Sequence, residues 1–376
     1  MPITSFSFTD QKENWHLEET TFLENLNLLV GISGVGKTKI LKAIELVCQV
    51  ATQSKCQFNG EQWKIGFKYA GQEYQWTFES SLVKPNLSQF APSKSSSILY
   101  EEILKKEGDQ TMTLIKRDES AFLLNNEEIP ALRKNESAIN LLSQLEIIKP
   151  IHQALKKFIF SDIWQPKHVG SRMNPSINRV DTPPVPLETF QEESIKQPTV
   201  AKAYQLQQQY HDEFEQIKQK LIAIFSSVED MKVELTKKAG VYEFSFCIKE
   251  KTSEKWISQW QMSAGMFRTI VHLVEMTMVP EGGVMVIDEL ENCLGTNCMP
   301  GLIEFILNQT SRLQVIMTSH HPYIIRNISP KTWKLVKRKG GQVTVLNAAD
   351  IEQLTDSNPD LFIRLTSLPE YEGGIS

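Results

Sequence analysis

The sequence predicts an α/β fold with a mixed, mainly parallel core sheet, an antiparallel β-subdomain and a helical insertion. Three observations lead there. The apolar run at 22–30 (FLENLNLLV) stops at a glycine-rich turn, and an amphipathic helix follows it. A second apolar run, 284–288, ends in two adjacent carboxylates, Asp288 and Glu289. From residue 263 onward, helix-like and strand-like stretches alternate, as in parallel strands joined by helices.

The elements follow in order along the chain. After the glycine turn, KTKILKAIELVCQV carries Ile40, Leu41, Ile44 and Val47 at helical spacing. Alternating and aromatic runs at 63–70, 74–80, 97–106, 111–118 and 120–125 predict the antiparallel strands, separated by Gly, Asp, Asn and Ser turns. Residues 136–164 read as helical, from Ile139 through Leu155 to Phe158. Across 165–199, six prolines and few large apolar residues predict a loop or partly disordered insertion. The helical pattern resumes over 200–226, and 231–249 reads as a β-hairpin around Ala239-Gly240. Helices at 263–278 and 299–309 then alternate with strands at 284–288 and 313–318; a loop into a helix covers 321–328, and strands follow at 333–337 and 342–346.

Composition bounds the function classes. The 376 residues are 41% hydrophobic and 23% charged, with a formal net charge of −5, which argues against coating nucleic acid through bulk positive charge. No run is long and apolar enough to span a bilayer, and MPITSFSFTDQKENW lacks the features of a secretory signal. The five cysteines, Cys48, Cys56, Cys247, Cys293 and Cys298, show no zinc-like spacing and read as free thiols in a reducing cytoplasm.

Residues 31–38, Gly31-Ile-Ser33-Gly34-Val35-Gly36-Lys37-Thr38, match GxxxxGK[ST] in the strand–turn–helix setting that this pattern needs. Glycines allow successive backbone N–H groups to curl round a phosphate, and the following helix aims its positive end at the same anion. Lys37 is placed to bridge the β- and γ-phosphates, and the Thr38 hydroxyl to hold Mg²⁺. Asp288 and Glu289 leave their strand at the edge where open α/β sheets bind ligands. Asp288 is therefore a Mg²⁺ candidate and Glu289 the candidate for orienting or deprotonating water, although an acidic pair at a strand end also serves as a helix cap. Thirty-two residues beyond Asp288, an apolar strand ends in Thr318-Ser319-His320-His321, which makes His320 a candidate γ-phosphate sensor.

With these motifs stands Gln261-Met262-Ser263-Ala264-Gly265-Met266-Phe267-Arg268 at a helix start. In that company the chain resembles the ATP-binding-cassette ATPases, in the soluble branch related to RecF and SMC heads and to the ATPases of OLD-type and other anti-phage systems. The resemblance implies a P-loop NTPase fold, ATP and Mg²⁺ as cofactors, and Ser263 and Gly265 reaching the γ-phosphate bound by a second copy. Ser263 serves equally as a helix N-cap. The resemblance further implies a D-loop at Glu291-Asn292-Cys293-Leu294, with Gln144 as candidate Q-loop residue and Trp15 as either an adenine contact or a packing residue. It divides the chain into a first lobe at 1–160, a lid at 161–230 and a second lobe at 231–376.

The expected partners are a second copy in a head-to-tail dimer or higher homo-oligomer, and a separately encoded effector, nuclease or toxin, docked on the lid around 165–199. No membrane is expected, and nucleic acid stays open as a partner. The alternative is a RecF-like DNA-binding ATPase in repair. Its strongest local signal, the basic run KLVKRK at 334–339, also alternates as a strand with a solvated face.

Overall fold

The computed structural model describes residues 1–83, 96–108, 110–161, 172–173, 184–238, 241–354, 361–368 and 371. The chain forms two compact units. Unit 1 comprises Met1–Phe158, Gly282–Val286 and Gln314–Ser376, and unit 2 comprises Ile159–Glu281 and Ile287–Leu313.

Unit 1 begins with β1 (Ile3–Asp10), β2 (Trp15–Thr21), β3 (Leu26–Val30), β4 (Glu61–Tyr69), β5 (Gln72–Ser80), β6 (Ile98–Glu107), β7 (Gln110–Arg117), β8 (Phe122–Leu124) and β9 (Glu127–Glu128). The chain enters unit 2 within β10 (Phe158–Ser161), and that unit holds β11 (Arg172–Met173), β12 (Val228–Lys238), β13 (Val241–Glu250) and β14 (Trp256–Ser258). β15 (Val284–Ile287) carries the chain from unit 1 back to unit 2, and β16 (Gln314–Thr318), β17 (Trp333–Lys339) and β18 (Gln342–Asn347) complete unit 1. The helices of unit 1 are α1 (Lys37–Thr52), α2 (Ala138–Leu141) and α3 (Lys149–Lys156). Unit 2 contributes α4 (Leu187–Ser194), α5 (Thr199–Gln209), α6 (His211–Ile224), α7 (Ala264–Met278) and α8 (Met299–Gln309), after which α9 (Pro322–Arg326) and α10 (Leu361–Ser367) belong to unit 1.

The unit 1 sheet runs β15-β16-β3-β17-β18-β2-β1-β4-β5-β6-β7-β8-β9. β3 is fully buried and lies parallel to both its neighbours, with Thr318 opposite Leu29 and Leu335 opposite Val30. A strand without water on either face must be apolar throughout, and Leu26, Leu28, Leu29 and Val30 supply that. Its one polar residue, Asn27, is spent locally, bonding the Leu23 N–H and C=O at 2.8 Å each. Against this core α1 buries Ile40, Leu41, Ile44 and Val47, the stripe its periodicity predicts.

The antiparallel strands extend the same sheet instead of forming a separate one, because β1 pairs with both β2 and β4. Their alternation buries one face, on which Trp63 stacks against its cross-strand partner Phe78 at 3.9 Å between ring centroids. Glu101 of β6 is fully buried and accepts from the Trp76 indole at 3.1 Å, Ser137 Oγ at 2.7 Å and the Ala138 N–H at 3.0 Å. It also pairs with Arg117 at 2.8 Å, and Arg117 in turn donates to the carbonyls of Arg133 and Glu136. One carboxylate thus ties α2 to the sheet.

In unit 2, α5, α6 and α7 bury Leu206, Phe214, Leu221, Phe267 and Ile270 against Val233 and Phe246 of the β12–β13 hairpin. Lys202 and Glu275 form a buried pair at 2.7 Å, and Thr199 also bonds Glu275. His272 of α7 is fully buried, with Nε2 3.3 Å from Arg268 Nε and Nδ1 3.4 Å from Ser161 Oγ.

Four sequence expectations need correction. The helix expected over 136–164 is, over its described residues 136–161, two short helices and a strand: Ser143 and Gln144 lie in a turn, Pro150 opens α3, and Phe158-Ile159-Phe160 prefers strand; 162–164 lie outside the described residues. The helix over 200–226 breaks at Tyr210, whose φ of −130° and ψ of 63° free its hydroxyl to donate to Val185 O at 2.8 Å. Part of the expected loop at 165–199 is helix α4, since Phe190 gains a stacking partner in Tyr210 at 4.9 Å; most of the remainder lies outside the described residues. The basic run at 334–339 is not simply a solvated face. Lys334 is buried and donates to Asn347 Oδ1 at 2.6 Å, with burial pushing its ammonium below the usual lysine range.

Glu101→Ala strands Arg117 in the core, so unfolding by urea should register a loss of about 3–5 kcal/mol. Burial, followed by the neighbouring Arg268, lowers the His272 pKa to about 3. The unfolded chain takes up this proton below about pH 6.5 while the folded chain does not, so stability falls with pH from there by up to ~1.4 kcal/mol per unit. The slope between pH 6.5 and 4.5 in denaturant titrations should be shallower in His272→Asn than in wild type.

Candidate functional site

The glycine loop leaves the buried end of β3 directly. Gly31, Gly34 and Gly36 have φ of 148°, 87° and 104°, values that side chains resist. At Gly31 space is lacking as well, because a Cβ would lie 2.7 Å from the Val336 carbonyl of β17. Val35 is fully buried and anchors the loop, while Ser33 and Gly34 are exposed at its crest. Lys37 is 6% exposed, and its Nζ donates to Gly31 O at 2.8 Å and Ile32 O at 3.0 Å. Its ammonium therefore lies across the loop instead of extending into solvent. Gly36 occupies the N-cap of α1 and provides no side-chain cap to the first N–H groups of that helix. Three positive-φ glycines, an ammonium folded over the loop and an uncapped helix start suit a polyphosphate.

The loop is braced from two sides. Trp15 is buried at 3% exposure, with its Nε1 3.4 Å from where a Gly36 Cβ would stand and the Lys39 ammonium 4.8 Å from its ring. Trp15 is thus a packing residue beneath the loop. Arg338 of β17 donates through Nη1 to Gly34 O at 3.3 Å and through Nε to Gly340 O at 2.7 Å. Sequence reading passed over Arg338 as one charge in a basic run; the signal available was the Gly340-Gly341 turn, which folds β18 back and places Arg338 near the hairpin's end.

His320 follows β16, the parallel neighbour of β3, so it emerges at the same strand end as Gly31. Ser319 Oγ accepts from the His321 N–H at 3.0 Å, and His321 Nδ1 caps α9 by accepting from the Tyr323 N–H at 3.2 Å. The second histidine is thereby committed to structure. His320 itself is half-buried.

Unit 2 contains the remaining candidates. Ser263 is the N-cap of α7, accepting from the Met266 N–H at 3.2 Å, so the capping role weighed in the sequence is present. Gly265 is required by close approach: a Cβ there would stand 2.7 Å from the Cys293 carbonyl. Asp288 and Glu289 follow β15 and are half-buried. Glu289 has φ of 46° and Cys293 φ of 61°, left-handed conformations that cost non-glycine residues about 1–2 kcal/mol each. The turn between them is closed by the Asn292 N–H on Glu289 O and the Leu294 N–H on Glu291 O, both 2.9 Å. Arg268, which the sequence reading quoted only as the end of a motif, is buried and donates to Asp288 O at 3.1 Å and Glu289 O at 2.9 Å.

The candidates therefore fall into two groups. Gly31 through Thr38 and His320 belong to unit 1, and Ser263, Gly265, Asp288, Glu289 and the 291–294 turn belong to unit 2. Gln144 lies on an exposed turn between α2 and α3. Among the described residues no cluster of three or more His, Cys, Asp or Glu side chains could hold a metal by itself, and no helix is long and apolar enough to cross a membrane.

Comparison with solved structures finds SMC heads among the similar folds. The SMC head bound to the C-winged helix domain of ScpA shares 11% identity, with 92% of this chain and 98% of that one covered and a TM-score of 0.47. The Thermotoga maritima SMC head domain shares 11% identity over 92% and 99%, with a TM-score of 0.44. The Smc head domain with an extended coiled coil bound to the C-terminal domain of ScpA, from Pyrococcus furiosus, shares 12% over 92% and 96%, also with a TM-score of 0.44. No curated protein matches the sequence. One family model, however, matches residues 26–326, taking in the glycine loop, the Ser263 helix start, the Asp288-Glu289 pair and His320. The chain belongs to that family of ATPases, described as "AAA domain, putative AbiEii toxin, Type IV TA system".

Proposed function

We propose that this protein is an ATP-hydrolysing switch that closes head-to-tail around ATP and controls a separate effector in bacterial anti-phage defence, acting in the cytoplasm. The observation that carries the reading is the glycine loop, with its positive-φ glycines, uncapped helix start and Lys37 ammonium. In this reading Gly31, Ser33, Gly34, Val35 and Gly36 offer backbone N–H groups to the phosphates, and Lys37 swings from its carbonyl partners to the β- and γ-phosphates. Thr38 and Asp288 hold Mg²⁺, which neutralises phosphate charge when bound. Glu289 orients water and accepts its proton, and His320 senses the γ-phosphate. Residues 1–160 and 231–376 act as two lobes with 161–230 as lid, and Ser263 and Gly265 meet the nucleotide held by the other copy.

An effector encoded elsewhere is favoured because the described residues hold no group of three or more His, Cys, Asp or Glu side chains of the kind a metal-dependent nuclease uses. The family description, with its toxin–antitoxin context, fits a growth-arresting output. The alternative, a DNA-binding ATPase, draws less support from the 334–339 run than its sequence suggests. Lys334 is buried and Arg338 is engaged with the glycine loop, which leaves Lys337 and Lys339 for phosphate contacts. The effector's docking segment, expected at 165–199, includes α4, whose Phe190 belongs to the core of unit 2, so a deletion that tests docking must spare α4.

Lys37→Ala should abolish ATP binding measured by calorimetry or weaken it at least tenfold; unchanged affinity would sink the reading. Glu289→Gln should bind ATP while keeping only a small residual rate of hydrolysis, and so accumulate a closed dimer. Light scattering joined to small-angle X-ray scattering reads this as an ATP-dependent change of mass or shape, and its absence would refute the head-to-tail arrangement.

A further inference from the structure

We infer that Arg268 is a positioning residue for hydrolysis, holding Glu289 in a strained backbone from the same helix that begins at Ser263. The inference deepens the proposed function and rests on its assignment of Glu289 to water activation.

The observations come from three parts of unit 2. Glu289 occupies left-handed space at φ 46°, which a residue with a long side chain leaves unless its surroundings prevent it. The guanidinium of Arg268 prevents it by bridging two consecutive carbonyls, those of Asp288 and Glu289, at 3.1 and 2.9 Å. Rotating the peptide between the two residues would break at least one of these charge-assisted bonds. Arg268 is only 4% exposed, so water does not replace a lost partner.

The arginine is itself oriented. His272 lies one turn along α7, fully buried, and its Nε2 faces Arg268 Nε at 3.3 Å. A neutral imidazole protonated on Nδ1 accepts that hydrogen and points its own proton at Ser161 Oγ, 3.4 Å away. On the other side Gly265, three residues before Arg268 and on the same face of α7, seats the Cys293 carbonyl where a Cβ would lie at 2.7 Å. Helix α7 thus grips both ends of the 288–293 turn, by close contact at Gly265 and by hydrogen bonds at Arg268. The direction in which the Glu289 carboxylate leaves the backbone is set by a helix whose first turn carries Ser263.

Single-turnover hydrolysis and ATP affinity of purified full-length Arg268→Gln, Arg268→Lys, Glu289→Gln and the Arg268→Gln/Glu289→Gln double variant test this, well below each variant's melting temperature. Arg268→Gln should lower the hydrolysis rate about 10- to 100-fold, the usual cost of losing an outer positioning partner, with ATP affinity within about twofold of wild type. Arg268→Lys, which keeps the charge and a donor, should recover part of the loss, and it decides the matter if Arg268→Gln does not fold. In the Glu289→Gln background, Arg268→Gln should cause little further loss, since both act through one carboxylate. Wild-type rates in both Arg268 variants, or a full additional loss in the double variant, would overturn the inference while leaving the Glu289 assignment standing. Wild-type hydrolysis by Glu289→Gln would instead overturn that assignment and this inference with it.

Discussion

A strand with no water on either face must find hydrogen-bond partners along both its edges, and in this protein that strand is β3. Its burial is complete, and it is held between β16 and β17 in parallel register. Everything local to the glycine loop follows from this placement. The loop starts where the strand ends, Gly31 has no room beside the carbonyl of β17, and His320 arrives at the same strand end because its own strand is parallel to β3. Parallel neighbours bring strand ends of like polarity together, which is how residues far apart in sequence share one edge.

A second regularity is the use of main-chain carbonyls to seat cations. Lys37 rests on Gly31 and Ile32, Arg338 on Gly34, Arg268 on Asp288 and Glu289, and Arg312 on Met276 and Val279. A carbonyl satisfies an N–H and also records the position of the backbone that carries it. Cations bound this way respond to loop geometry, and they hold it in turn. Where the fold needs stiffness instead, it uses buried carboxylates, as in Glu101 with Arg117 and Glu275 with Lys202. Such pairs offset a large desolvation cost only when every lone pair is engaged, and Glu101 meets that demand with four donors.

Much of this was legible beforehand. The glycine loop announces itself because its chemistry needs particular residues at fixed spacing, and the strands of the antiparallel stretch announce themselves by period-two burial. The carboxylate pair and the Ser263 helix start were visible for the same reason. What escaped depends on contacts that leave no local trace. α4 forms because Phe190 finds Tyr210, and the break at Tyr210 follows the same packing. Lys334 reads as a surface charge until Asn347 is seen beside it. Arg268 looks like the polar member of an amphipathic helix, and its partners are backbone carbonyls that carry no residue identity. The left-handed conformations of Glu289 and Cys293 are equally silent in the sequence, since neither residue type favours them.

The position of β3 in the sheet also has a bearing on how the protein comes into being. The strand and its loop are made before unit 2, whereas β16 and β17 are translated only after the whole of it. Until those late strands arrive, the nascent chain carries an apolar ribbon with both edges unpaired, the kind of segment that chaperones and proteases recognise. The long sequence separation of these pairings also makes the last step of assembly slow. The glycine loop built on this strand therefore acquires its scaffold only after unit 2 has been made. Synthesis of β16 and β17 and formation of the loop's scaffold become a single event.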